Sequence, residues 1–445
     1  MTASVLLLPL DAAATSSDAD IISLFWICVV SVLAPLLAAL SRQRVPGVVW
    51  MLALGVLVGP SGVGLASITG GVDLIREIGM GMLFLMAGYE IPVKLVRARQ
   101  GRISGLTWAF CFALGSLIAL VFVPGLSWHA TVALGIAASS TALGTLLPIL
   151  SDSGEAHTPF GTAVLVHGAV GELFPVLAMS LLLTSASPVQ GVVVLCAFVV
   201  LTLGVLVIPG KLLRRSQVLG RVIRQGAETT AQTTLRVVVL VLITLMVISA
   251  LLNLDVVLGA FVAGVLVRAV APQDAEILEG RLRTLGYSFL IPVFFVTSGM
   301  AIDIRAVATR PATFLWFLLT ILVARGIPVF LVERFASPSG VRRTWREAGR
   351  IGLYAAAGLP IIVAVTGVAV SAGLLSQATA SGMVAAGAVS VLVFPLLAQL
   401  LVPGARLSRE SMREAVRTQQ GPSDSSHPRR SARVRRGSAP ARRRD

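Results

Sequence analysis

Apolar blocks of about 20 residues recur along almost the whole chain, and they constrain the fold more than any other feature. A soluble domain spreads its apolar residues with a period of about 2 or 3.6, whereas these blocks match the length of a helix that crosses a bilayer. Hydrophobic residues make up 56% of the chain and charged residues only 13%. The pattern predicts an all-α polytopic membrane protein, because barrel strands would alternate apolar and polar residues over about 10 positions.

The blocks predict about 13 transmembrane helices. These lie near residues 21–40, 46–66, 74–94, 104–124, 128–150, 160–184, 188–210, 232–252, 254–270, 285–300, 311–332, 350–372 and 378–402. Residues 1–20 have no basic segment before their short apolar run, VLLLPL, so we expect a short external tail and not a cleaved signal peptide. The membrane domain is therefore predicted to cover residues 21–403.

Basic residues are distributed unevenly between the predicted loops, which gives an orientation. Outside the C-terminal tail, the loops of one side carry Arg42, Arg44, Lys94, Arg97, Arg99, Arg102, Lys211, Arg214, Arg215, Arg221, Arg224, Arg342, Arg343, Arg346 and Arg350. The opposite loops carry few, such as Arg305 and Arg310. Because basic loops stay in the cytoplasm, we expect a cell-membrane protein with its N-terminus outside and its C-terminus inside.

Residues 404–445 form a predicted cytoplasmic tail that contains RRSARVRRGSAPARRR. The tail is rich in Arg, Ser and Pro and poor in large apolar residues, so we expect it to be disordered. Anionic lipid at the membrane surface is its expected partner. Nucleic acid is disfavoured because no aromatic residues are interleaved to stack on bases.

Two predicted spans contain residues that interrupt a helix. Span five contains AASSTALG, where small and hydroxylated residues follow one another, and span twelve contains AAGLPI, where Gly358 and Pro360 weaken the helix. The two spans are seven apart, as expected for two inverted six-helix repeats separated by span seven. Gly and Pro are frequent in membrane helices, so either break alone is a weak signal. The matched pair points to the ion site of a transporter.

Glu172 lies in the middle of predicted span six, within HGAVGELFPVL. An ionised carboxylate there costs several kcal/mol unless it is paired, hydrated or protonated. A proton and a monovalent cation can each neutralise it, and they compete for the same oxygens. The hydroxyls of Ser139, Ser140 and Thr141, with carbonyls freed by the break, could complete an oxygen shell. The alternative is a protonated Glu172 that hydrogen-bonds two helices together.

Arg325 is the basic residue that lies well inside predicted span eleven. It could neutralise Glu172 when no ion is bound, or it could snorkel to the cytoplasmic interface. His167 lies roughly 140° around the helix from Glu172, so we expect a satisfied buried histidine rather than an ion ligand. Asp255 and Asp303 lie near the outer ends of spans, where carboxylates can reach water, and we assign them no chemistry.

Six motifs in a fixed order carry a family resemblance. They are RVPGVVWMLALGVLVGPSGVGL (44–65), LIREIGMGMLFLMAGYEI (74–91), ALGIAASSTALGTLLPIL (133–150), LGAFVAGVLV (258–267), IPVFFVTSGMAID (291–303) and REAGRIGLYAAAGLP (346–360). The ordered set resembles the Kef-like branch of the monovalent cation:proton antiporter superfamily, over about residues 21–403. The resemblance implies the sodium/proton antiporter fold: a homodimer with a dimerisation scaffold and a mobile core of two crossed, broken helices. It also implies elevator-like alternating access.

The chain departs from the superfamily at the ion-binding acid of span six, which is commonly part of a Gln-Asp, Asn-Asp or Asp-Asp pair. Gly171 and Glu172 stand there, so one carboxylate remains and its polar neighbour is missing. A single titrating group fits electroneutral exchange. The family's basic partner can lie in span ten or eleven, and predicted span ten has no Lys or Arg, which leaves Arg325.

We therefore expect a secondary active antiporter that exchanges protons for Na⁺ or K⁺ at Glu172. Two alternatives stay open. A gated potassium efflux pathway is one, although no filter sequence such as TVGYG is present. A non-transporting sensor or scaffold, which recruits partners through the basic tail, is the other. Neither an enzyme nor a cofactor is expected, because the sequence offers no nucleophile–base set or metal-ligand cluster.

Overall fold

The computed structural model describes residues 16–41, 45–91, 96, 98–144, 146, 150, 154–156, 158–182, 193–202, 204, 233–270, 275–336 and 338–401. Most of these residues are helical, and there is no strand among them. The first 15 residues of the predicted external tail, the basic segment 211–231 and the predicted Arg-rich tail 404–445 lie outside the described residues.

The described residues form 17 α-helices. In chain order they are α1 (Ser16–Leu40), α2 (Gly47–Val58), α3 (Gly70–Glu90), α4 (Arg99–Phe122), α5 (Trp128–Ala138), α6 (Pro159–Leu182), α7 (Val193–Thr202), α8 (Thr233–Leu251), α9 (Val256–Val270), α10 (Ala275–Leu285), α11 (Ile291–Met300), α12 (Ile304–Thr309), α13 (Pro311–Ile321), α14 (Ile327–Leu331), α15 (Trp345–Ala355), α16 (Leu359–Ser371) and α17 (Gln377–Leu400). Single π-helical turns continue three of them, at Gly286–Leu290, Leu322–Gly326 and Val332–Ala336.

Every predicted span overlaps one of these helices, and seven helical segments are long and apolar enough to cross a membrane. Several boundaries differ from the predicted ones, and three of these differences have a clear origin or consequence. The helix of span two ends at Val58, because Gly59 turns into extended backbone and Pro60 cannot continue a helix. The helix of span ten begins at Ala275, well before residue 285. The helix of span eleven continues through two π turns to Ala336 and does not end at residue 332.

Burial separates the helices at the centre of the molecule from those at its surface. In α6 and in the segment formed by α15 and α16, 72% of the most apolar 18-residue window is buried, against 28% in α1 and α8. A peripheral helix presents apolar side chains outward, as expected for contact with lipid tails. Glu172 therefore belongs to one of the most enclosed helices.

Glycines allow α3 and α9 to pack closely. A side chain at Gly264 would overlap the backbone of α3, and a side chain at Gly88 would overlap the backbone of α9. Small residues at such crossings are typical of membrane helices, where close van der Waals packing drives association. The packing fixes the end of α3, where the carboxylate of Glu90 pairs with Arg283 of α10 at 2.8 Å.

Candidate functional site

The two predicted helix breaks are present. α5 ends at Ala138, where the hydroxyls of Ser139 and Ser140 donate back to the carbonyls of Ile136 (3.2 Å) and Ala137 (2.8 Å). Such local bonds compete with the helical pattern, which explains why hydroxylated residues stop the helix here. α15 ends at Ala355 and α16 begins at Leu359, with Pro360 in its first turn. Proline is favoured at that position because its missing N–H is not needed.

The two breaks bond directly to each other, although more than 200 residues separate them in the chain. The amide of Ala142 donates to the carbonyl of Ala357 at 2.7 Å, and the hydroxyl of Thr141 donates to the carbonyl of Ala355 at 2.5 Å. The hydroxyl of Ser140 also lies 3.2 Å from the carbonyl of Gly358, so its single hydrogen is shared between that oxygen and the carbonyl of Ala137. Backbone groups freed by a break must find partners in a water-poor interior, and each break supplies them for the other.

Gly358 is required by this close approach. A Cβ at residue 358 would lie 2.6 Å from the hydroxyl oxygen of Ser140 and 2.7 Å from its carbonyl oxygen. Both distances are far inside van der Waals contact, so any larger residue would push the breaks apart. The glycine predicted as a helix breaker therefore also makes room for the opposite chain.

Glu172 lies on α6 beside the break in span five. Its residue is 2% exposed, and the amide of Leu143 bonds to its carboxylate. Its Oε2 has no hydrogen-bond partner among the described residues. One residue earlier, the carbonyl of Gly171 accepts the amide of Thr141 at 2.8 Å, which ties α6 to the break. The carboxylate thus has one free oxygen in a buried, polar neighbourhood.

Arg325 is fully buried on the π turn between α13 and α14, so it does not snorkel to the surface in this structure. Its Nε donates to the hydroxyl of Thr141 at 3.1 Å, its Nη2 donates to the carbonyl of His167 at 2.8 Å, and its Nη1 lies 3.8 Å from Sγ of Cys111. Among the described residues, no ion pair within 4.0 Å joins it to Glu172. The direct pair with Glu172, one of the two alternatives left open by the sequence, is therefore not formed in this structure. The guanidinium instead supports the span-five break.

Gly171 explains why the polar neighbour of the acid is missing. A Cβ at this position would lie 2.5 Å from the hydroxyl oxygen of Thr141 and would also overlap the guanidinium of Arg325. The space beside the Cα of Gly171 is occupied in this chain by the side chains of Thr141 and Arg325.

A family model described as "Sodium/hydrogen exchanger, transmembrane" matches residues 28–402. The chain belongs to this family. Its fold resembles that of the sodium proton antiporter MjNhaP1 from Methanocaldococcus jannaschii at pH 8, with a TM-score of 0.56 and 16% identity over 86% of this chain and 96% of that chain.

Curated relatives of this exchanger-family chain are longer than the part that matches it. It is 25% identical to the putative Na⁺/H⁺ antiporter YjbQ of Bacillus subtilis, covering 71% of this chain and 53% of that protein. It is 26% identical to K⁺ efflux antiporter 2, chloroplastic, of Arabidopsis thaliana, covering 86% and 32%. It is 27% identical to the glutathione-regulated potassium-efflux system protein KefC of Escherichia coli, covering 84% and 59%. The chain therefore spans about half or less of the length of the first two.

The sequence analysis of this exchanger-family chain missed a second buried cluster. The Nε2 atom of His167 lies 3.0 Å from Oε1 of Glu333, and Nε of Arg343 donates to Oε2 of the same carboxylate at 2.7 Å. The predicted end of span eleven at residue 332 places Glu333 and Arg343 in a loop. The signal available was the charged pair in LVERF, directly after an apolar run that could have been extended.

Two carboxylates outside the helices have local roles. Asp303 caps α12 by accepting the amides of Arg305 (3.0 Å) and Ala306 (3.1 Å). Asp255, in the connection before α9, accepts the amide of Val257 at 2.8 Å. Burial, opposed by that amide bond, raises the pKa of Asp255 to about 6. Helix capping accounts for both residues without any role in ion binding.

Proposed function

We propose that this chain exchanges protons for a monovalent cation, Na⁺ or K⁺, at the carboxylate of Glu172. The observation that carries the proposal is the buried Oε2 atom, which has no partner among the described residues and lies on α6 beside the span-five break. A bare carboxylate in that position costs several kcal/mol, and either a proton or a cation removes the cost. The names of the relatives, Na⁺/H⁺ antiporter and K⁺ efflux antiporter, agree with this chemistry.

Exchange follows from competition for one carboxylate. When the carboxylate carries a proton the site is neutral, and when it holds a monovalent cation the site is neutral again. The empty, charged site is the costly state, so the transport unit crosses the membrane only when loaded. One carboxylate that alternates between one proton and one cation gives electroneutral exchange.

Oxygens of the span-five break supply candidate ligands for the cation. The hydroxyls of Ser139, Ser140 and Thr141 donate their protons to carbonyl oxygens. A hydroxyl oxygen that donates one hydrogen bond keeps lone pairs that can contact a hard cation. Arg325 already uses the oxygen of Thr141, which leaves Ser139 and Ser140 as the freer pair.

Arg325 contributes a fixed positive charge close to the crossing of the breaks. The carbonyl ends of α5 and α15 converge there, and the C-terminus of a helix carries partial negative charge. We assign Arg325 to balancing these carbonyl ends and to holding Thr141, without a direct bond to Glu172. Elevator-like movement of the core against a homodimeric scaffold, with the C-terminus in the cytoplasm, completes the proposed cycle.

Reconstitution tests the proposal. Proteoliposomes that contain a pH-sensitive dye are given an outward proton gradient and then a pulse of Na⁺ or K⁺. We expect the wild-type protein to move protons in response, and Glu172→Gln to lose at least about 90% of that rate, because the amide cannot exchange a proton. Asp303→Asn is the matched control, since asparagine keeps the cap on α12 and the change leaves α6 untouched. Equal rates in the wild type and Glu172→Gln remove Glu172 from the mechanism.

Similarity to potassium-efflux proteins favours one rival, a gated K⁺ pathway without obligatory proton movement. The same vesicles separate the two. An exchanger carries K⁺ only while protons move in the opposite direction, and its rate saturates with K⁺ concentration. A gated K⁺ pathway passes K⁺ down the K⁺ gradient even when the pH inside and outside the vesicles is held equal.

A further inference from the structure

A buried charged cluster lies beyond the ion site, five residues before Glu172 on α6. It consists of His167, Glu333 and Arg343, and we call it the histidine cluster. The side chains of His167 and Glu333 are 0% exposed and that of Arg343 is 3% exposed. Enclosing such groups costs several kcal/mol for each charge unless all are well paired. The exchange mechanism described above does not use them, so their presence calls for another explanation.

The geometry fixes the charges of the histidine cluster. Each oxygen of Glu333 has one partner, Nε2 of His167 at 3.0 Å and Nε of Arg343 at 2.7 Å. Nδ1 of His167 has no partner among the described residues. A protonated ring would bury an N–H at Nδ1 without an acceptor, so the neutral tautomer with its hydrogen on Nε2 fits.

His167 joins the histidine cluster to the ion site through a continuous series of hydrogen bonds. Its ring is held by Glu333, while its backbone carbonyl accepts Nη2 of Arg325 at 2.8 Å. Nε of Arg325 then holds the hydroxyl of Thr141, whose amide donates to the carbonyl of Gly171, next to Glu172. A displacement of the His167 backbone is therefore passed on to the guanidinium and to the break.

The histidine cluster also ties three helical segments together. Arg343 precedes α15, and its Nη2 donates to the carbonyl of Pro159 at the start of α6 at 2.9 Å. Glu333 belongs to the last π turn of the segment that carries Arg325. The segments that bear the acid, the guanidinium and the second break are thus joined at one end by a single carboxylate.

We propose that Glu333, with His167 and Arg343, is a positioning unit that holds Arg325 against the span-five break and thereby sets the cation affinity of Glu172. The inference rests on the proposed exchange function for its kinetic part. Loss of the carboxylate leaves Arg343 buried without a counter-charge and releases the ring of His167. The carbonyl of His167, which accepts from Arg325, is then held less firmly, and the site becomes less well formed for the cation.

Cation kinetics in proteoliposomes test the kinetic part. We expect Glu333→Gln to raise the apparent KM for the transported cation about tenfold while the maximal rate changes less than about threefold. The double variant Glu333→Gln/Arg343→Gln restores neutrality and is expected to recover most of the loss. Glu333→Asp keeps the charge with a shorter reach and should give a smaller shift in the same direction, which keeps the test available if Glu333→Gln does not fold.

Alkylation of Cys111 tests positioning without transport. Cys111 lies against Arg325, and Cys28→Ser/Cys196→Ser removes the two other cysteines. We expect Glu333→Gln to raise the rate of Cys111 modification by a membrane-permeant maleimide at least about fivefold at matched unfolding temperature. The control is Arg350→Gln, which breaks a different ion pair, to Glu155, that is not bonded to Arg325.

The outcomes separate the two proposals. An unchanged KM together with unchanged Cys111 modification overturns the positioning role, and so does the same shift in both readouts for Arg350→Gln. If the wild type shows no exchange, the proposed function fails, while the Cys111 result still decides whether Glu333 positions Arg325.

Discussion

Replacing Thr141 with valine removes one hydroxyl from the meeting point of the two breaks and preserves the shape of the side chain. That hydroxyl donates to the carbonyl of Ala355 at 2.5 Å and accepts from Nε of Arg325 at 3.1 Å. All three residues are buried, with Thr141 and Arg325 both 0% exposed. Water therefore cannot replace the lost partner, and both groups would remain unpaired.

The destabilisation caused by Thr141→Val follows from the loss of these two hydrogen bonds. A neutral hydrogen bond contributes about 0.5–1.5 kcal/mol, and a bond from a charged group about 1.5–3 kcal/mol, so the loss of both destabilises by about 2–4 kcal/mol. Thr141→Ser is the matched control, because it keeps the hydroxyl and removes only a methyl group, at about 1 kcal/mol. The expected difference between the two variants is therefore about 1–3 kcal/mol.

Thermal and denaturant unfolding in one detergent, at one ion concentration, measure this difference. We expect Thr141→Val to be less stable than Thr141→Ser and to exchange ions more slowly, since the break would be less well held. If the valine variant is as stable as the serine variant, or more stable, the hydroxyl does not hold the breaks together and the reasoning is refuted.

Two further predictions concern stability at single positions. Gly358→Ala places a Cβ within 2.6 Å of Ser140 and should destabilise the fold by about 1–3 kcal/mol. Its control is Gly367→Ala, whose Cβ meets nothing within 4 Å and which should be neutral or stabilising. Equal unfolding midpoints for the two variants would contradict this. Asp255→Asn keeps the cap on α9, and the raised pKa of Asp255 means that folding favours the protonated acid. The contribution of Asp255 to the free energy of unfolding is therefore fully present below about pH 4, and it is lost as the pH rises through about 6. We expect the asparagine variant to gain up to about 3 kcal/mol over the wild type at pH 8 and little at pH 4; a pH-independent difference would count against the shift.

The local features of the site could be predicted from the sequence because they depend on neighbours along the chain. The hydroxyls of Ser139 and Ser140 bond to carbonyls three residues back, and Pro360 cannot continue a helix, so both breaks follow from short stretches. The apolar blocks predicted the positions of the helices for the same reason, since each block is a continuous stretch of the chain. Glu172 was identifiable because a carboxylate is conspicuous in an apolar run.

The partners of Arg325 could not be predicted, because they are set by packing between distant helices. Thr141 and His167 precede it by 184 and 158 residues, and no local pattern encodes those contacts. Glu333 was missed for a different reason. Two π turns lengthen the helix of span eleven and change its register, so the side chain of Glu333 faces inward at a place where the apolar pattern indicated a loop.

Proton release on cation binding tests the shared carboxylate most directly. Purified protein in weakly buffered detergent solution is titrated with NaCl or KCl, with choline chloride as the control for ionic strength, while the released protons are measured with a pH indicator. We predict up to one proton released per chain, saturating with cation concentration, and no release from Glu172→Gln. Cation binding without proton release in the wild type, or equal release from the glutamine variant, would contradict the claim that a proton and a cation compete for Glu172.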